Sequence, residues 1–298
     1  MKMPHIKYHK YLLPYDYEEF LPDYKFKFRG KYLSDENIIK IKVSELLRKR
    51  ENLGNVLELG IGSGIMTRII APKSKYFEGE DISEEMVNHT KRLVKNPNSK
   101  FIIQEMKEYI KSNNYLDRFD NIFSFWSFNY PLLSCYEEFD HKKKKIIPRK
   151  DLNLADEDAK SFIKTFFKKC KRDAKFLFLF FDAKCPEQNI VTDLWEIVAP
   201  FPNNDRNHTS SIFFQTLEDL KDHGVIKFKK TFLRGRIILD NKSEVVNTFL
   251  NLHLRGIFNH NKNLNEIINK LEKKVMKYKV GEKYIIPSGA YMVEAEKN

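Results

Sequence analysis

Short apolar runs alternate along this chain with stretches in which apolar residues return every three or four positions, the pattern of strands exchanging with amphipathic helices. Val56-Leu57-Glu58-Leu59 is an apolar run of strand length broken by one carboxylate, and it leads directly into Gly60-Ile61-Gly62-Ser63-Gly64. A helical pattern begins near Ile65 and is cut short by Pro72, which cannot continue a helix. Tyr76 to Glu80 reads as a second strand closed by Asp81, and Ser83-Glu84-Glu85-Met86-Val87 opens a helix running to about Val94 with a capping-box-like start. Lys100 to Gln104 is a third strand with its exit at Glu105 and Met106, and Phe119 to Tyr130 holds a fourth. Ala155 to Lys171 has amphipathic helical spacing. Ala174 to Phe181 is apolar on both faces, as a parallel strand buried between helical layers must be.

Upstream, Asp35 to Arg48 carries apolar residues at helical spacing behind a candidate N-cap, Ser34. Downstream, Phe214 to Asp222 is helical, Gly224 turns the chain, and a strand follows. Ser243 to Leu254 and Leu264 to Val275 are two further helical patterns before a final strand within Tyr284 to Glu296. Strands alternating with helices predict an α/β fold with a doubly wound, mostly parallel sheet. Glycines at 60, 62 and 64, after the first strand, let the backbone turn with no side chain in the way of a ligand. Asp81, closing the second strand, stands where such folds place a carboxylate on ribose hydroxyls. The two stretches together describe a nucleotide-type cofactor site.

They resemble motif I and the second-strand motif of the class I S-adenosylmethionine-dependent methyltransferases. Two details separate the pattern from a dinucleotide fingerprint: Ile65 stands where the third glycine of G-x-G-x-x-G would be, and Glu58 lies two residues before the first glycine. The resemblance implies a seven-stranded sheet with an antiparallel last strand, a small helical cap, and S-adenosyl-L-methionine as cofactor. It implies that Glu58, Gly60, Ile61 and Gly62 hold the methionine portion, that Asp81 takes the ribose, that Ile82 packs on adenine, and that Glu105 and Met106 read its polar edge. Gln104 is one position from Glu105 and could take its role. Ser124, Phe125, Trp126 and Tyr130, at the end of the fourth strand, are placed near the methyl group. Ser124 is assigned with the cofactor and the three aromatics with the acceptor pocket, although plain core packing remains open for Trp126. Pro14-Tyr15-Asp16, followed by Phe20, is similar to the opening of many small-molecule methyltransferases, so Tyr15 is assigned to the cofactor as part of a lid; packing of these rings on the domain edge is the alternative.

The expected organisation is an aromatic N-terminal lid over residues 1–35, a methyltransferase core over 36–240 and 280–298 with a substrate loop inserted at 185–211, and a helical cap over 241–279. The loop is either part of the acceptor pocket or only an elaborated connection. With 298 residues, 42% of them hydrophobic, the chain can bury a full core. No apolar stretch reaches the ~18 residues of a membrane span and the start lacks a signal core, so a cytoplasmic protein is expected. Cys135, Cys170 and Cys185 lack metal-ligand spacing and read as reduced structural thiols; no metal site is expected. The net charge of +12 raises the question of nucleic acid, but the basic residues are scattered, and the densest run, Lys142 to Lys145, reads as a solvated loop.

Methyl transfer from a sulfonium needs alignment more than side-chain chemistry, so the acceptor leaves no compulsory signature. His208, His223 and His253 are candidate bases, none of them assigned. Aromatics near the N-terminus and inserted cap segments suit a small-molecule acceptor. An RNA-modifying methyltransferase, a cofactor-binding regulatory subunit, and an enzyme using the sulfonium for cyclisation are the competing readings. The absence of an Asn-Pro-Pro-Tyr form at the fourth strand counts against methylation of bases.

Overall fold

The structure, a computed structural model, describes residues 25–28, 31–34, 45, 52–140, 145–195, 205–250 and 264–298. Tyr15 and most of the expected lid, the helix expected at Asp35 to Arg48 apart from Glu45, Lys142 to Lys144 and His253 lie outside these residues. The chain divides into two compact units, one of residues 1–39, 182–200 and 233–290, the other of residues 40–181, 201–232 and 291–298. The division cuts two long strands, β10 (Ile226–Leu239) and β12 (Lys283–Lys297), so that each contributes a part to either unit.

The second unit is a doubly wound α/β layer structure. Its strands are β3 (Asn55–Leu59), β4 (Tyr76–Asp81), β5 (Ser99–Ile103), β6 (Asn121–Phe125), β9 (Lys175–Phe181) and one part each of β10 and β12. They lie in the order β10-β12-β9-β6-β3-β4-β5. The five from β9 to β5 pair in parallel. The last strand runs the other way: its Lys297 exchanges backbone hydrogen bonds with Asp173 and Ala174 at the start of β9, and Asn298 N donates to the carbonyl of Val225 at the start of β10. The mostly parallel centre and the antiparallel last strand are as expected from the sequence, but the sheet numbers ten strands among the described residues rather than seven, because short strands near the N-terminus and before the last strand extend its edge.

Helices α1 (Thr67–Ile70), α2 (Glu84–Leu93), α3 (Met106–Ser112), α4 (Asn129–Leu133), α5 (Leu152–Lys169) and α7 (His208–Asp222) belong to this unit. Local chemistry sets their starts. Ser83 caps α2 by accepting from Met86 N, with Glu84 and Glu85 in the first turn and Lys91 and Arg92 in the last, charges that suit the helix dipole. Asp151 caps α5 through Leu154 N at 3.0 Å. The core between sheet and helices is aromatic: Phe128, fully buried, lies 5.1 to 5.5 Å from the ring centres of Phe166, Phe178 and Phe213. Such buried rings each remove a large apolar area from water.

The first unit contains α6 (Pro186–Trp195), the remaining parts of β10 and β12, α8 (Lys242–Thr248) and α9 (Leu264–Val275) around a core that includes Val191, Leu194, Val245, Phe249, Leu271 and Ile286. Strands β1 (Lys25–Phe28) and β2 (Lys31–Ser34) form a hairpin on β10 with Phe26 opposite Ile237, and β11 (Lys279–Val280) pairs with β12. Part of the expected lid segment is therefore strand, and much of the loop expected at 185–211 is α6 and the start of α7. A separate hairpin in the second unit, β7 (Glu137–Asp140) with β8 (Lys145–Pro148), precedes α5.

Candidate active site

Four strand ends meet along the carboxyl edge of the parallel sheet: Leu59 of β3, Asp81 of β4, Ile103 of β5 and Phe125 of β6. The glycine run after β3 turns sharply there. Gly60 has φ +75°, a conformation costly for any residue with a side chain, and its N–H donates to the Glu80 carbonyl at 2.8 Å, as does that of Ile61 at 3.0 Å. A β-carbon at Gly60 would lie 2.4 Å from Ser127 Cβ, whereas one at Gly62 would meet nothing within 4 Å among the described residues. The loop is thus closed on its protein side and open at Gly62.

Asp81 joins the two sequence stretches physically. Its Oδ2 accepts from Gly62 N at 2.8 Å and its Oδ1 from Ser83 N at 2.9 Å. Burial pushes its pKa up, opposed by these backbone donors. Gln104 N donates to the Asp81 carbonyl at 3.0 Å, which brings the exit of β5 alongside. Glu105 caps α3 by accepting from Glu108 N at 2.9 Å, and Met106 is buried with its Cε facing Gly60. Gln104 Nε2 is turned to Ser112 Oγ. Ile61 is buried against Gly79, and Ile82 is half-buried beside Asp81.

Glu58 is 1% exposed, and its Oε2 has no hydrogen-bond partner among the described residues. Burial raises its pKa to about 8; the Thr67 side chain opposes the rise, and the nearby Asp81 charge adds to it. Buried polar atoms are nearly always satisfied, so an orphaned carboxyl oxygen beside a glycine loop is a place for a ligand donor, and a cationic donor there would favour loss of its proton.

At the end of β6 the residues divide by role. Ser124 is fully buried with its hydroxyl on the Leu59 carbonyl at 3.1 Å and 2.7 Å from Ser127 Oγ, so it braces β3 against β6. Phe125 is buried and stacks on Phe123 at 6.1 Å. Trp126 has φ +55°, a left-handed conformation that costs energy for a bulky residue and that concentrates at functional sites. Its ring stacks on Phe181 at 5.6 Å, and its buried indole N–H has no partner among the described residues. Tyr130 is 37% exposed, on α4. Sequence reasoning missed three residues here. Ser127 bonds the Leu59 carbonyl at 2.7 Å and backs Gly60; Thr90 on α2 bonds the Gly62 carbonyl at 2.8 Å and backs Gly64; Glu80 is a buried carboxyl whose pKa burial raises. Only the alternation of β4, which turns Glu80 away from Asp81, could have flagged the last.

All three cysteines are free and buried. Among the described residues no cluster of His, Cys, Asp and Glu could hold a metal, and no helix is long and apolar enough to cross a membrane.

Residues 56–139 match the family model described as a methyltransferase domain. Curated proteins gave no match. Among solved structures, YcgJ from Bacillus subtilis is 14% identical, with 86% of this chain and 97% of that one covered and a TM-score of 0.50. A protein from Bacillus halodurans C-125 described as a candidate methyltransferase has 13% identity, the same coverage of 86% and 97%, and a TM-score of 0.50. Magnesium protoporphyrin IX methyltransferase from Synechocystis PCC 6803, with bound SAH, is 13% identical over 88% of this chain and 83% of that one, with a TM-score of 0.44. The family match makes residues 56–139 a methyltransferase domain, and the surrounding sheet has the doubly wound α/β fold of the class I kind. The protein is an enzyme, and its cofactor is S-adenosylmethionine.

Proposed function

We propose that the enzyme methylates a small-molecule acceptor, with the cofactor held by the residues the carboxyl edge brings together. The observation that carries this reading is the face of the loop left open at Gly62, joined to Asp81, together with two buried groups that have no partner among the described residues, Glu58 Oε2 and Trp126 Nε1. These residues fit an adenosyl sulfonium. Glu58 and the loop backbone suit the aminoacyl end, where an ammonium would satisfy the orphaned oxygen. Each Asp81 oxygen retains acceptor capacity for a ribose hydroxyl. Ile82 offers apolar surface to adenine, and the Glu105–Met106 corner lies beside it. The bound sulfonium supplies an already activated methyl group. The protein's part is to align an acceptor with it and to exclude water.

Ser124 supports this site from beneath, while Trp126 and Tyr130 wall the acceptor side. A flat aromatic pair, Trp126 on Phe181, suits a cationic sulfonium and a planar acceptor equally. Calorimetry with S-adenosylmethionine tests the assignment: Asp81→Ala should weaken binding by at least about tenfold, the loss of a charge-assisted hydrogen bond, with the circular-dichroism spectrum unchanged. Unchanged affinity in the folded variant would remove Asp81 from the site.

A further inference from the structure

A second carboxyl group lies on β4 three residues before Asp81, and alternation along the strand turns it to the opposite face of the sheet. This residue, Glu78, is fully buried. Tyr109 OH donates to its Oε1 at 2.6 Å, Tyr76 OH donates to its Oε2 at 2.6 Å, and Arg118, in the turn Leu116–Arg118, pairs with the same Oε2. The guanidinium lies 4.8 Å from the ring centre of Phe119 and 5.4 Å from that of Tyr76. Burial, with the bond to Glu78, pushes the Tyr76 pKa up to about 12 and raises that of Tyr109, so both hydroxyls remain donors. A buried carboxylate held this way is fixed in place, because losing any one donor leaves a buried lone pair unmatched.

Tyr109 ties β4 to α3, the helix whose start carries Glu105 and Met106. Glu105 caps that helix four residues before Tyr109, about 6 Å away along its axis. The far end of α3 is held separately: Lys169 Nζ donates to the carbonyls of Ile110, Lys111 and Asn113 at 2.9, 2.6 and 3.2 Å. A helix of 7 residues cannot hold its shape alone, so tertiary contacts such as these decide where its first turn stands. Two further contacts relate that turn to the strand ends. Gln104 N donates to the Asp81 carbonyl at 3.0 Å, and Met106 Cε faces Gly60.

We infer that Tyr109, anchored on Glu78, is a positioning residue that sets how strictly the site selects an adenosyl cofactor over one with a carbonyl-bearing purine, an inference that rests on the reading of Glu105 and Met106 as the adenine edge. Adenine presents an amino group, a donor, where hypoxanthine presents a carbonyl oxygen, an acceptor. A Glu105 carboxyl oxygen accepts from the first and repels the second, and a site built around such a bond discriminates strongly against a ligand that lacks the donor. The discrimination lasts only while Glu105 stands within hydrogen-bond reach of the base. Tyr109→Phe takes the donor from Glu78 Oε1, and α3 then shifts to let water or another donor reach that buried oxygen. The bond to the amino group weakens, whereas a hypoxanthine base, which made no bond there, loses little.

The test uses the full chain and two probes, S-adenosylhomocysteine and its hypoxanthine analogue S-inosylhomocysteine, with calorimetry giving both dissociation constants. The wild type should prefer the adenosyl probe by about tenfold or more, the worth of one hydrogen bond to a charged group. Tyr109→Phe should bind the adenosyl probe about tenfold more weakly and the inosyl probe within about threefold of the wild type, so the preference narrows. Tyr76→Phe is the control. It also strips a donor from Glu78, but from within β4, so it should lower the melting temperature as Tyr109→Phe does and leave the preference unchanged. Equal weakening of both probes in Tyr109→Phe, no change in either, or the same narrowing in Tyr76→Phe would overturn the inference. A wild type that binds both probes equally would remove Glu105 from the base and overturn it as well. A wild type that binds neither would instead overturn the cofactor site itself. Lys169→Met, which frees the other end of α3, gives an answer where Tyr109→Phe fails to fold: a narrowed preference is expected, and an unchanged one would reject the placement of this helix as its cause.

Discussion

Glu58 carries a pH signature of its own. Burial holds its folded-state pKa near 8, above the ordinary 4.5, so between these values the folded chain binds a proton that the unfolded chain has released. The stability tied to this group is full below about pH 4.5 and is lost as the pH rises through 8. Glu58→Gln, which cannot ionise, should therefore match the wild type in melting temperature near pH 4.5 and exceed it at pH 8 and above, by the equivalent of a few kcal/mol at most. The same buried acid predicts a proton count on binding. A cationic ligand beside Glu58 favours the carboxylate, so S-adenosylmethionine binding at pH 7 should release protons. Calorimetry in buffers of different ionisation enthalpy would show this as a buffer-dependent apparent enthalpy, and in Glu58→Gln the dependence should shrink.

Among the elements, the turn after β3 separates two costs that glycine avoids. At Gly60 an alanine meets both a left-handed backbone and the Ser127 side chain 2.4 Å away; at Gly224, which ends α7 with φ +69°, it meets the backbone cost alone, since nothing among the described residues lies within 4 Å. Gly224→Ala should lose roughly 1–2 kcal/mol of stability with cofactor affinity intact, while Gly60→Ala should lose more and bind cofactor poorly, as denaturant melts and calorimetry would show. The glycine run and Asp81 were legible in the sequence because backbone geometry and a buried carboxylate admit few residue types. Helix α6 was not, because Pro186 reads as a loop marker although proline is well tolerated at the first position of a helix. The β1–β2 hairpin did leave a signal, the alternation Lys25-Phe26-Lys27-Phe28 before Arg29-Gly30. Thr90 and Ser127 left none, since a hydroxyl's partner is fixed only when distant segments meet. The hydrogen bond of Tyr136 to Asp156 Oδ1 at 2.5 Å, and the contact of His208 Nε2 with the same oxygen at 2.7 Å, were hidden for the same reason: the three residues lie on separate elements.

For the molecule as a whole, the charge of +12 is the feature most easily misread. Within the second unit, Lys164 pairs with Asp219 at 2.6 Å and Lys227 with Glu296 at 2.8 Å, and Lys171 pairs with Asp120. Within the first unit, Lys242 pairs with Glu272 at 2.6 Å and Lys283 with Asp240 at 2.8 Å, and Lys274 pairs with Asp193. Exposed pairs of this kind add little stability, at most about 1 kcal/mol each, but they interleave opposite charges where a phosphate track needs one sign. Affinity for nucleic acid rises with the number of phosphates neutralised, and so does its loss with salt. A surface patterned this way should hold RNA only weakly: binding to a mixed RNA pool is expected to vanish as sodium chloride approaches physiological levels, with a shallow dependence of log affinity on log salt. Tritium from labelled S-adenosylmethionine should accordingly stay out of the RNA fraction and enter small molecules extracted from the same lysate. A steep salt slope together with label in RNA would transfer the acceptor assignment from small molecules to nucleic acid, while leaving the cofactor site where β3 and β4 end.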